Sequence, residues 1–234
     1  MKTAPMKTAT RSRIGFRMLR SALDMFRDRS GIAATEFAVI VPMMLVMFFG
    51  VVEFSSALAV DRKVTLVART LSDLTSQAPS SAPQAPYALL TDPNLQNAFT
   101  SSILIFQPYA ATPTNARVSE IYIDHNGNAT IQWSKSATIG SGATQATLTS
   151  STRSPGDNVT SFVPAALLVK QTYLIWSEVS YLFTPAFDYG GLMAKTGVTL
   201  SDVAFSRPRS VTCVVYNNLP NPPTTLPTPC PTTS

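Results

Sequence analysis

The chain has 234 residues and a net charge of +5, with a pI near 9.4. Only 13% of its residues are charged, about half the usual share for a soluble globular domain. Two cysteines and one histidine exclude a zinc finger, a multi-histidine metal centre and a disulfide-dense mini-protein.

The charge is concentrated at the start. Residues 1–31 carry eight Lys or Arg and two Asp, a net of +6, whereas the remainder carries ten basic and eleven acidic residues, a net of −1. A nucleic-acid-binding face interleaves basic and aromatic residues on a folded surface. Here the basic segment stops at an apolar wall, which is the pattern of a membrane-targeting head, so no nucleic-acid partner is expected.

Residues 37–52, FAVIVPMMLVMFFGVV, hold no charge and are bracketed by Glu36 and Glu53. Apolar residues extend the run outward to Ile32 and Val60. A helix of about 20 residues crosses the hydrocarbon core, so one membrane span is predicted and a polytopic transporter is excluded. A buried core helix is the competing reading, disfavoured by the length and the basic flank. A cleaved secretory signal fits less well, because the basic region is long and no small-residue cleavage site closes a short apolar core. The positive-inside rule places residues 1–31 in the cytoplasm and the chain beyond Val60 outside it.

Val60, Val64, Val67, Ala68, Leu71 and Leu74 follow at helical spacing and draw one stripe along a helix. The helix is expected to run unbroken to about Gln77, a length of roughly 70 Å at 1.5 Å per residue. The outer stripe then needs a cover, which the downstream domain supplies.

At the junction the chain reads Arg27-Asp28-Arg29-Ser30-Gly31-Ile32-Ala33-Ala34-Thr35-Glu36-Phe37. A carboxylate at the centre of a membrane helix costs about 2.5–3.5 kcal/mol. Glu36 is then either a headgroup-level residue near the helix N-terminus or the partner of a new α-amino group. A cut after Gly31 would create that amine on Ile32, one turn from Glu36 or facing a neighbouring subunit.

A basic leader, a Gly, and a Glu at the fifth mature position of a long apolar helix together resemble the type IV pilins. The stretch RDRSGIAATEFAVIVPMMLVMFFGVVEFSSA, followed by VTLVARTLSDL, resembles more closely the TadE-like proteins of tight-adherence (Tad, or Flp) pilus systems. Glu36-Phe37, Pro42 and Glu53-Phe54 sit where that pattern has them, and the resemblance covers about residues 24–75. It implies cleavage between Gly31 and Ile32 by a prepilin peptidase. It implies an inner-membrane minor pilin or pseudopilin that assembles with other Tad pilin-type subunits and inner-membrane platform proteins. Glu36, Phe37, Pro42 and Glu53 would serve that assembly, with membrane lipid around the helix. More than 150 residues follow the helix, which suits a minor component better than the very small major pilin. An uncleaved, membrane-tethered envelope-binding module of the TadG-like kind is the alternative. Pro42 removes one helical hydrogen bond, giving either a harmless kink or a point of bending on extraction. Glu53 either marks the outer membrane boundary or pairs with a basic group on a partner.

Past the helix, residues 78–90 hold three prolines and read as a linker. Asp92-Pro93 reads as an N-cap followed by the first helical position, opening a short helix with Leu95, Phe99, Ile103 and Phe106 on one face. Residues 118–124 and 129–134 flank Asn126-Gly127, a strong hairpin signal. Ile121, Ile123, Ile131 and Trp133 are expected to share a face. His125 falls in this turn and reads as an ordinary turn residue. Residues 136–160 are rich in Ser, Thr and Gly and read as a loop or weak edge strands, and residues 163–170 as one helical turn. Residues 173–183, 198–205 and 210–216 complete an antiparallel set of about five strands. The fold class is α+β: a long N-terminal transmembrane helix packed on a small antiparallel sheet.

The boundaries expected are a leader at 1–31, the helix at 32–77, an extracytoplasmic (periplasmic) domain at 78–216 and a tail at 217–234. The tail has six prolines and no charge, so it reads as extended. Cys213 and Cys230 would oxidise outside the cytoplasm; an intramolecular bond tying back the tail is favoured over free thiols or intermolecular bridges. No G-x-S-x-G, H-E-x-x-H, Walker A or G-x-G-x-x-G pattern occurs. No cofactor, metal site or enzymatic activity is expected, although Glu120, Asp124, Glu178 and Asp188 remain as carboxylates of unknown spacing.

Overall fold

The computed structural model describes residues 30–80, 87–112, 114–186 and 197–216. The basic leader, Asp188, Cys230 and the proline-rich tail lie outside the described residues. The chain divides into two units, residues 1–52 and 53–234.

The described part of the first unit is the beginning of one helix, α1 (Ser30–Ser76), 47 residues long. Its apolar side chains are exposed nearly throughout, and Pro42 sits inside the helix without ending it. An apolar helix satisfies its backbone groups internally, which is what lipid demands of a spanning segment. Residues 31–76 are long and apolar enough to cross a membrane, with an 18-residue window of mean hydropathy 2.4.

In the second unit, the rest of α1 supplies the predicted stripe. Val60, Val64, Val67, Ala68 and Leu71 are all fully buried. The stripe does not continue through Leu74, which is 37% exposed. The buried face passes from Leu71 to Ser72, Thr75 and Ser76 instead, because the step from 71 to 75 keeps the 3.6-residue period.

Residues 87–90, expected in a linker, form β1 (Tyr87–Leu90). Helix α2 (Asp92–Ile103) follows, with Thr91 as its N-cap and Pro in the first turn. The helix therefore starts one residue earlier than the sequence suggested. Its predicted face holds: Leu95, Phe99 and Ile103 are fully buried, as is Phe106 in the short 3-10 turn Leu104–Phe106 that ends it.

Five strands make the main sheet. They are β2 (Thr114–Ile123), β3 (Ala129–Thr138), β4 (Thr147–Ser150), β5 (Thr172–Phe183) and β6 (Val198–Ser206), in the order β4-β3-β2-β5-β6. Every pairing is antiparallel. The hairpin turn uses Gly127 at φ +92°, a conformation that glycine adopts without cost.

The last strand, β7 (Cys213–Tyr216), does not join this sheet. It pairs in parallel with β1, Tyr87 opposite Cys213 and Leu90 opposite Tyr216. A parallel partner more than a hundred residues away leaves no local trace in either segment.

The hairpin carries a second departure. A bulge between Glu120 and Ile121 shifts the register of β2 on β3, so that Ile121 faces Ile131 while Glu120 faces Trp133. An extra residue reverses which side chains share a face. Ile121, Ile123 and Ile131 thus join one cluster with Leu174 and Trp176. Trp133 joins the other, with α1, α2 and β7.

Polar contacts lock the helix to the domain. Ser177 Oγ donates to the Ala68 carbonyl at 2.6 Å and Ser206 Oγ to that of Ser72 at 2.8 Å. Thr65 Oγ1 donates to Asp202 at 2.5 Å. Lys63 Nζ donates to the carbonyls of Ile105 and Gln107, each at 2.8 Å, satisfying backbone groups just past α2.

Candidate functional site

The residues singled out for processing and assembly occupy the start of α1. Gly31 lies in its first turn, and a Cβ there would meet nothing within 4 Å. Ile32 is 56% exposed and Phe37 is 68% exposed. Glu36 is exposed as well. Ile32 and Glu36 are four residues apart on one helix, so they stand one above the other on the same face. The Ile32 carbonyl accepts the Thr35 hydroxyl at 2.8 Å. Pro42 follows further along the helix, inside the exposed apolar run. Neighbouring apolar side chains are large and uncovered, among them Met43, Met44, Met47 and Phe48.

Glu53 belongs to the second unit. Its Oε1 accepts the backbone N–H of Ala186 at 2.8 Å. Further along α1, Asp73 pairs with Arg209.

The second group centres on Glu120, which the sequence offered only as one of four carboxylates of unknown spacing. Glu120 is 2% exposed. Its Oε1 accepts the Val214 N–H at 2.6 Å and its Oε2 accepts the Trp133 indole N–H at 3.1 Å. The same indole N–H also reaches the Val214 carbonyl at 2.6 Å. One carboxyl and one indole therefore bind both backbone groups of a single β7 residue. Burial pushes the Glu120 carboxyl up to about 8, against the opposing effect of the Val214 and Trp133 donors. Burial, followed by the Glu120 charge, likewise pushes the Tyr173 hydroxyl up. That hydroxyl has no hydrogen-bond partner among the described residues. Strand alternation was the available signal, since Glu120 falls on the same face as the buried Val118.

Cys213 opens β7, is 1% exposed and is disulfide-bonded. It packs with Tyr173, Tyr122 and Val215. Tyr216 closes the strand, with its ring 5.8 Å from that of Trp133 and its hydroxyl donating to Asp92.

The three described carboxylates considered for catalysis do not converge, and Asp188 lies outside the described residues. Glu120 is buried behind β7. Glu178 is on the opposite face of the sheet, paired with Arg117 and Arg153. Asp124 is in the hairpin turn, where the N–H groups of Asn128 and Asn126 lower its affinity for a proton. Among the described residues no three His, Cys, Asp or Glu side chains are placed to hold a metal ion.

The model of the family described as TadE-like protein matches residues 31–72. The match starts at Gly31 and ends four residues short of the end of α1. No curated protein and no solved structure matches the chain.

Proposed function

From the TadE-like character of residues 31–72, we propose that this chain is an inner-membrane-anchored minor pilin or pseudopilin that takes part in assembling a Tad/Flp-type pilus. The observation that carries the proposal is the coincidence of three features on one helix. The TadE-like match, the exposed apolar span and the Gly31–Glu36 spacing all fall at the start of α1. The N-terminal leader is cytoplasmic and the sheet domain periplasmic, as the basic residues before the span direct. Prepilin peptidase cuts after Gly31. The new Ile32 amine pairs with Glu36, or with the same residue of a neighbouring subunit, which offsets the cost of placing either charge in lipid. Phe37 and Pro42 contact other pilin-type helices. An oxidising compartment suits the disulfide at Cys213, and its partner is Cys230, which ties the tail to β7.

The test is N-terminal sequencing of the mature chain after co-expression with a prepilin peptidase. A new N-terminus at Ile32 supports the proposal. An intact leader assigns the uncleaved, tethered alternative. In the same system Glu36→Ala is expected to leave cleavage in place and to abolish most piliation; normal piliation would refute the pairing.

A further inference from the structure

The two ends of the main sheet differ in charge. Pairing sets the start of β2, the end of β3, the start of β4, the end of β5 and the start of β6 side by side: Asn115 with Thr138 and Ser180, Thr138 with Thr147, Phe183 with Val198. Around this end residues 104–116, 136–152, 179–186 and 197–201 carry no charge. Asp188 and Lys195 lie outside the described residues. The other end is charged. It has Asp124 in the hairpin turn, Arg153, Asp157 and Lys170 between β4 and β5, and Arg207 and Arg209 after β6.

The uncharged end is the one that α1 enters first. The Ala186 N–H held by Glu53 lies three residues past β5. Thr65 then meets Asp202 and Ser72 meets Ser206, so α1 runs beside β6 in the same direction, toward the charged end. Apolar side chains are uncovered where it enters. Phe54 and Leu58 are exposed on α1, four residues apart and so on one face. Leu182 at the end of β5 and Val198 at the start of β6 are exposed as well. Residues 32–52 rise by about 31 Å as an α-helix, the depth of the hydrocarbon core. Glu53 then falls at its boundary. The next charges on α1 are Asp61 and Arg62, with Asp61 about 12 Å further out, beyond a headgroup layer of roughly 5–8 Å.

We propose that this end of the domain seats on the lipid surface of the bilayer that α1 crosses, with Leu182 and Val198 reaching the headgroup layer beside Phe54 and Leu58. The seat rests on the membrane anchoring proposed above. Three observations select lipid as the partner. The surface is continuous with the span, because Glu53 is the residue after the apolar run and also holds Ala186. Losing water there exposes no charge to an apolar medium, whereas the other end would pay heavily for the same step. The one carboxylate at the boundary, Glu53, already accepts a backbone N–H, which offsets part of its loss of water. The seat adds an apolar contact that the chain must give up when α1 leaves the bilayer.

The test is quenching of tryptophan fluorescence by dibrominated phosphatidylcholine, with the full chain reconstituted into phosphatidylethanolamine–phosphatidylglycerol vesicles. Trp133 and Trp176 are buried and set the baseline in the native chain. Val198→Trp reports the seat, Phe37→Trp the span, and Val169→Trp an exposed site at the charged end. Quenching above the baseline is expected to be at least twofold greater for Val198→Trp and Phe37→Trp than for Val169→Trp. If Val198→Trp does not fold, Leu182→Trp takes its place with the same expectation. Quenching of Phe37→Trp with Val198→Trp or Leu182→Trp no more quenched than Val169→Trp overturns the seat and leaves the anchoring standing; that is also the result if another subunit, absent from these vesicles, covers this end. An unquenched Phe37→Trp overturns the anchoring and the seat together.

Discussion

Glu120 gives the domain a pH dependence whose sign and size follow from its surroundings. The folded-state value of about 8 lies well above the ordinary value of 4.5. The folded chain therefore holds this proton more tightly than the unfolded chain does. The stabilisation is fully present below pH 4.5 and is lost as pH rises through about 8. One proton taken up differently by the two states changes stability by about 1.4 kcal/mol per pH unit, so the full interval costs on the order of 5 kcal/mol. Glu120→Gln removes the titration. The amide oxygen can accept from Val214 or from Trp133, and its NH2 then faces the other donor. One hydrogen bond is lost, at about 1–2 kcal/mol. The variant should be less stable than the native chain at pH 5 and more stable at pH 9, with the two curves crossing between. Urea denaturation of the full chain in detergent, followed by tryptophan fluorescence at several pH values, reads this directly. Equal pH slopes for the two proteins from pH 5 to 9 would refute the reasoning.

Three further outcomes are expected. Leu71→Ala should cost about 2–5 kcal/mol by opening a cavity between α1 and the sheet; Leu74→Ala, at a position 37% exposed, should cost far less. Thermal denaturation of the two variants checks that contrast, and equal losses would count against the stripe. Gly127→Ala places a side chain at φ +92° and should destabilise by about 1 kcal/mol or more, seen as a lower urea midpoint. Cys213→Ser should cost roughly 3 kcal/mol if the bond closes the short loop to Cys230. Cys230→Ser should then show the same loss, and unequal losses would argue for a different pairing.

Much of the fold was legible because its signals are local. Length and apolarity marked the span, the i, i+4, i+7 spacing from Val60 marked the packed face of α1, and Asn126-Gly127 marked the hairpin. Leu95, Phe99, Ile103 and Phe106 announced the inner face of α2 in the same way. The failures were non-local or depended on a single inserted residue. Residues 87–90 sit among prolines and become a strand only because β7 returns beside them. Trp133 was expected with Ile131, but the bulge at Glu120 moves it to the opposite face. Arg117 meets Glu178 only through the pairing of β2 with β5, so Arg117 and Arg153 carried no signal of their own. At the start of α1, by contrast, Gly31, Ile32 and Glu36 lie within six consecutive residues of one helix, so their spacing could be read directly.

The pairing of β1 with β7 has a consequence for how the domain comes into being. Tyr87 must wait for Cys213 and Leu90 for Tyr216, so these contacts have a very large sequence separation. Such contacts are slow to form, because the intervening chain must be brought together first. Chains are made from the N-terminus, and β7 emerges after every other described strand. Until it arrives, Glu120 and the Trp133 indole lack the Val214 backbone groups they bind, and the face of β1 that meets β7 is bare. A chain stalled or clipped before residue 213 would thus display an unpaired strand and an unsatisfied inner carboxyl. Emergence of residues 213–216 is the event that closes the domain.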